Sequence, residues 1–188
     1  MKDKQSRRDA IKTTAAASIG LSCGAFAIPS GKRNLNISGK DFIQEENSKK
    51  GTRDWRLTNT KTVPGKINRI LDNGRSKAIE GYCNANSLRV GEKLKIMVSA
   101  NPASAFKLDI FRTGYYGGTG ARLMKSFDSL KAGTQPDPSV GENYVRECQW
   151  EPTVEFEIPK TWPSGVYLGK MTAERSGIQS YVIFIVRD

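Results

Sequence analysis

The stretch Arg112-Thr-Gly-Tyr-Tyr-Gly-Gly-Thr-Gly-Ala-Arg122 has the residue types most suggestive of chemistry. Between its two arginines it sets four glycines and two tyrosines within seven residues. Glycine-rich loops cradle phosphates when their backbone amides converge at the start of a helix. The dinucleotide form requires Gly-x-Gly-x-x-Gly. Here Gly118-Thr-Gly120 runs into Ala121-Arg122-Leu123, so the third glycine is missing. The mononucleotide form requires Lys followed by Ser or Thr directly after the glycines, and none follows. The residues from Arg122 to Phe127 are also too few for the required helix. Phosphate binding is set aside. Two readings stay open. One is a hairpin tip whose glycines take positive φ while the tyrosines cap the domain end. The other is a docking or ligand-contacting tip made of Arg112, Gly114, Tyr115, Tyr116, Gly117, Gly118, Gly120 and Arg122, since exposed tyrosine offers large contact area with a polar end.

Other catalytic constellations are thin. The chain has no histidine. That removes Ser-His-Asp and Cys-His nucleophile systems and zinc sites that depend on imidazole. Glu155 and Glu157 alternate along a strand-like run with Glu151 nearby. Paired carboxylates can do acid–base work, but the solvated face of a half-buried strand explains these better. No metal site or cofactor motif is evident. Cys83 and Cys148 remain once a leader carrying Cys23 is removed. In an oxidising compartment they could close a loop of roughly 65 residues, stabilising by about 3–4 kcal/mol. Two buried free thiols are the alternative.

The 188 residues carry a formal net charge of +11, which first suggests an anionic partner. Its distribution argues otherwise. Residues 28–78 hold twelve basic and five acidic residues, whereas 79–188 hold thirteen and twelve. The folded part is nearly neutral, so nucleic-acid binding is not expected. Residues 1–27 read as an export leader. Arg7 and Arg8, followed by Ile11 and Lys12, resemble a twin-arginine signal. A weakly apolar run follows, and Ala25-Phe26-Ala27 supplies the small-x-small cleavage pattern. Leu21-Ser22-Cys23 hints at a lipoprotein site, but Gly20 stands where leucine is usual. The expected location is periplasmic or secreted, with the twin-arginine translocase as a transient partner. No segment reaches the length needed for a transmembrane helix.

These residues need elements to hold them. Residues 28–54 are polar and without helical or strand period, and are expected to form a flexible basic linker. The domain is expected over 55–188, with its core in 79–188. From Ile79 onward apolar residues recur with period two. Leu94, Ile96 and Val98 form one such set, Phe106, Leu108 and Ile110 another, and Val154, Phe156 and Ile158 a third. Further strands are expected over 121–127, 143–150, 166–173 and 179–186, with a loop over 128–143. Seven or eight short strands separated by turn signals predict an all-β, immunoglobulin- or fibronectin III-like antiparallel sandwich. The last strand, Tyr181 to Val186, is apolar on both faces. It is either central or covered on its outer face by further protein.

Several stretches together carry a resemblance. They are Trp55-Arg-Leu-Thr-Asn59, Ile79-Glu-Gly-Tyr82, Arg112-Thr-Gly-Tyr-Tyr-Gly-Gly118, Trp162-Pro-Ser-Gly-Val-Tyr167 and Gln179-Ser-Tyr181. In this order they resemble the N-terminal β-sandwich region of proteins related to the large (β) subunit of N,N-dimethylformamidase. The resemblance spans Trp55 to Asp188. It makes Trp55, Tyr82, Trp162, Ser164, Gly165, Tyr167 and Tyr181 structural positions of that family's motif. It implies a non-catalytic module that packs on an amidase-type domain encoded downstream, with any metal and the hydrolytic residues in that other part. The chain would then be a split or truncated fragment. A free-standing binding module for a glycan or protein, using Tyr115, Tyr116 and Trp162, is the alternative.

Overall fold

The computed structural model describes residues 38–61 and 75–188. The leader residues Arg7, Arg8, Ala25 and Ala27 lie outside them. Among the described residues, eight strands follow one helix. The helix is α1 (Ser38–Ser48), and the strands are β1 (Glu80–Cys83), β2 (Ser87–Arg89), β3 (Lys93–Ser99), β4 (Ser104–Thr113), β5 (Ala121–Ala132), β6 (Val154–Glu157), β7 (Gly165–Ala173) and β8 (Gln179–Arg187). They build two sheets. The smaller has the order β1-β3-β6 and the larger β2-β8-β7-β4-β5. This is the expected all-β sandwich, antiparallel except where β2 pairs parallel with β8.

The period-two pattern does what it predicts. Leu94, Ile96 and Val98 on β3, with Val154 and Phe156 on β6, face Phe106, Leu108 and Ile110 on β4. Their burial removes apolar area from water, worth roughly 25 cal/mol per Å². Trp162 stacks on Tyr167 with ring centroids 5.0 Å apart, and Tyr167 stacks on Phe184 at 5.4 Å. Tyr167 is fully buried, and its hydroxyl donates to the Pro163 carbonyl at 2.6 Å.

Three segments differ from expectation. α1 forms inside the tract expected to be a structureless linker. Strand β5 continues five residues beyond Phe127, because Leu130, Lys131 and Ala132 pair with Phe106, Ala105 and Ser104. Residues 143–150 form no strand. Asn143 and Tyr144 take positive φ, and Arg146 donates to the Pro138 carbonyl at 2.8 Å. No neighbouring strand offers this segment a ladder.

Of the two alternatives for the cysteines, the structure has the free thiols. Cys83 and Cys148 are both free, and Cys148 is exposed rather than buried. Tyr82 links the two segments. Its hydroxyl donates to the Cys148 carbonyl at 3.0 Å and accepts from the Trp150 amide at 3.0 Å. Its ring lies 5.4 Å from that of Trp150. Burial pushes the Cys83 thiol up to about 12. Because the thiolate is the reactive form, iodoacetamide near pH 8 should label Cys148 about tenfold or more faster than Cys83. Peptide mapping by mass spectrometry reads both rates. Labelling of neither residue until a reductant is added would show that they are bonded after all.

Candidate functional site

The glycine stretch joins β4 to β5 at one end of the larger sheet. The Gly114 amide donates to the Gly120 carbonyl at 3.0 Å and closes the loop. Tyr116, Gly117, Gly118 and Gly120 all have positive φ. Gly120 shows why glycine is needed. Its φ is +94°, and a Cβ there would sit 3.1 Å from the Trp55 indole. Side chains at such φ are strained even in open space.

The two tyrosines have opposite fates. Tyr115 is 70% exposed and Tyr116 only 2%. The Tyr116 hydroxyl donates to Glu46 Oε1 at 2.8 Å and accepts from Arg112 Nη1 at 2.8 Å. Arg122 donates to the same Glu46 oxygen through Nε at 2.9 Å and Nη2 at 2.6 Å. Lys49 Nζ donates to Glu46 Oε2 at 2.7 Å. Asn47 Oδ1 accepts from the Tyr115 amide at 3.0 Å. Thus α1 docks on the tip through one buried carboxylate and its neighbour. Arg112 also donates through Nε and Nη2 to the Ser164 carbonyl. Gly165 leaves room for it, since a Cβ there would lie 3.1 Å from Arg112 Nε. Ser164 Oγ donates to Asp188 Oδ2 at 3.3 Å.

The charges are balanced by these bonds. Burial alone would raise the Glu46 pKa, but hydrogen bonds from Lys49, Arg122 and Tyr116 outweigh it and hold the carboxyl below its ordinary value. Burial, and then the Glu46 acceptor, raise the Tyr116 hydroxyl pKa against the opposing pull of Arg112. A tyrosine beside a carboxylate is a conceivable nucleophile and base. Here the hydroxyl is enclosed and both of its bonds are taken within the protein. The arrangement locks the tip.

Trp55 belongs to an arm, residues 51–59, that crosses the outer face of the larger sheet. The Thr52 amide donates to the Ala121 carbonyl at 2.8 Å. Trp55 Nε1 donates to the Thr119 carbonyl at 3.0 Å. Lys170 Nζ, almost buried, donates to the carbonyls of Asp54 and Arg56. The Tyr181 hydroxyl donates to the Trp55 carbonyl. The Thr58 amide donates to Gln179 Oε1 at 2.8 Å. The motif residues Trp55, Ser164, Gly165 and Tyr181 therefore meet around the tip and arm, whereas Tyr82, Trp162 and Tyr167 hold loops and core. The row of exposed aromatics expected for a glycan site is not formed, because Tyr116 and Trp162 are both buried.

Sequence reasoning missed Glu46, Asn47, Lys49 and Lys170. The first three sit in a polar run where Glu45 and Glu46 look alike. Only the helical spacing that puts Glu46 and Lys49 one turn apart could have pointed to them.

Residues 107–188 match the family model described as N,N-dimethylformamidase beta subunit-like, C-terminal. The match takes in Arg112 to Arg122, Trp162 to Tyr167 and Tyr181, and it supports a relationship to dimethylformamidase subunits. It also corrects the expected placement, because the matched region is the C-terminal one and not the N-terminal. Trp55 and Tyr82 lie outside it. No curated protein matches the chain. Among solved structures, an uncharacterized protein from Bacillus anthracis str. Ames aligns with 14% identity and a TM-score of 0.36, over 56% of this chain and 80% of that one.

Proposed function

We propose that this chain is a non-catalytic β-sandwich module of a dimethylformamidase-like assembly, packing on an amidase-type catalytic chain or domain that hydrolyses C–N bonds. The observation that carries the reading is the family match over residues 107–188. The tip supports it from the chemical side, since Tyr116, Glu46, Arg112 and Arg122 bond to one another, to Lys49 and to the Ser164 carbonyl within the chain. Any metal and the hydrolytic residues would belong to the partner. We also propose export through the twin-arginine route to the periplasm or beyond, on the sequence of residues 1–27 alone.

The test uses the purified full chain and N,N-dimethylformamide. The chain alone should release no dimethylamine above the uncatalysed rate. Mixed with a separately produced dimethylformamidase-type catalytic chain from the same organism, it should co-elute in size exclusion. Amine release by the chain alone, or failure to co-elute, would overturn the reading.

A further inference from the structure

The outer face of the larger sheet is divided by the arm. Strand registers set the rows of this face. Ala121, Thr113, Val166 and Ile185 form one row. Leu123, Phe111, Leu168 and Ile183 form the next, followed by Asp109, Lys170 and Tyr181. The arm bonds to Ala121 on β5, then to Lys170 on β7, then to Tyr181 and Gln179 on β8. It therefore runs diagonally and leaves one corner bare. That corner holds Val166, Ile183 and Ile185, which are 41%, 58% and 43% exposed. Val166 and Ile185 are direct cross-strand partners, so the three branched side chains are contiguous. This is the outer face of the strand whose sequence is apolar on both sides.

The margin of the corner is charged. Parallel β2 and β8 set Arg89 opposite Arg187. Their neighbours Leu88 and Val186 point into the core, so alternation turns both arginines to the outer face. Both are exposed, and among the described residues neither guanidinium has an ion-pair partner. Like charges set side by side across strands repel, and an incoming carboxylate would relieve this. Apolar residues bordered by arginine are the usual make-up of a protein–protein contact.

We propose that this corner is the docking face for the amidase-type partner, which would meet it with an apolar patch bordered by carboxylates. The proposal rests on the functional reading above and names the surface through which the packing occurs. A second copy of this chain is a poorer occupant. A twofold contact would set the corner against itself, facing its arginine margin with the same arginines. An anionic lipid surface is poorer too, because recognition there uses clusters of about 4–8 basic residues rather than two.

The experiment titrates the full chain against the same separately produced catalytic chain by isothermal calorimetry. Ile183→Ser with Ile185→Ser should weaken binding about tenfold or more. Arg89→Glu with Arg187→Glu should weaken it comparably and flatten its salt dependence. All four side chains are exposed, so circular dichroism and melting should stay near wild type. Tyr115→Ser serves as a probe of the tip and should change little. Wild-type binding that survives both double variants, or is lost only with Tyr115→Ser, overturns the corner while leaving the packing reading intact. Absence of wild-type binding overturns both. A dimer dissolved by Ile183→Ser with Ile185→Ser, or equal retention on phosphatidylglycerol vesicles and on the catalytic chain, also overturns the committed occupant.

Discussion

Replacing Tyr167 with alanine should destabilise the domain by about 3–5 kcal/mol, a loss expected when a buried aromatic is cut to a methyl group. The geometry gives the reason. Tyr167 is fully buried and lies between the rings of Trp162 and Phe184, nearly parallel to the first at 6° and to the second at 18°. Phe156 extends the cluster, its ring 6.0 Å from Trp162, and Phe127 lies 5.3 Å beyond. Truncation opens a cavity that the four remaining rigid aromatics cannot refill. Burial also raises the hydroxyl pKa, so it stays a neutral donor to Pro163 across the working range. Tyr167→Phe should therefore cost only about 1 kcal/mol, the net worth of one hydrogen bond. Urea unfolding followed by tryptophan fluorescence measures both. The loss with alanine is a large share of the roughly 5–15 kcal/mol that keeps a domain folded. A cost below 1 kcal/mol for Tyr167→Ala would show that the stack is not core. The same stack decides the fate of Trp162, which serves packing and is not offered to a glycan.

The sandwich was legible because its core alternates. Leu94, Ile96 and Val98 could face inward together only on a strand, and Val154 with Phe156 repeats the pattern between Glu155 and Glu157. The glutamates' reading also follows, since Glu155 pairs with Lys93 and Lys95 on the neighbouring strand's solvent face. Where alternation is absent the sequence speaks less. Tyr144-Val145-Arg146 has strand-forming types, but no partner pairs with it and Tyr144 is 91% exposed. β5 runs past its expected end at Phe127, through Asp128 and Ser129, to Ala132. The ladder absorbs them as an irregularity, with Ser129 at a φ of +52°. The two-sided apolar pattern of β8 posed a choice that only the arm's path resolves. One outer position, Tyr181, is taken by the arm, and two, Ile183 and Ile185, are not.

The tip was recognisable in the sequence, but its occupant was not. Hydrophobic period finds helices that dock through an apolar stripe. α1 docks through Glu46 and Asn47, while Phe42 and Ile43 stay exposed. A helix held by one carboxylate leaves no period to read. The glycine stretch therefore looked like a loop awaiting a ligand. Its ligand is the chain's own Glu46, placed 70 residues from Tyr116 and 76 from Arg122.

Glu46→Ala should accordingly release α1 from the tip, costing about 2–3 kcal/mol of docking free energy. That lies below the range for fully buried pairs, because Lys49 and Arg122 keep some solvent contact. Glu46→Gln should cost less, since an amide oxygen still accepts from Tyr116. The pH dependence has a definite sign. The folded-state pKa of Glu46 lies below its ordinary value of 4.5. Its contribution is therefore complete above the unfolded value and lost as pH falls through the lower, folded one. Hydrogen-exchange protection of amides 42–50 and 114–120 should be steady at neutral pH and fall in acid, ahead of amides in β7 and β8. In Glu46→Gln that acid step should vanish, while protection at neutral pH is already reduced. Unchanged protection of α1 in Glu46→Ala would show that the helix is held by something else. An acid step that persists in Glu46→Gln would assign the titration to another carboxylate. The core strands β7 and β8 should be indifferent to either change, because Glu46 touches the tip and the start of β5 and not the core.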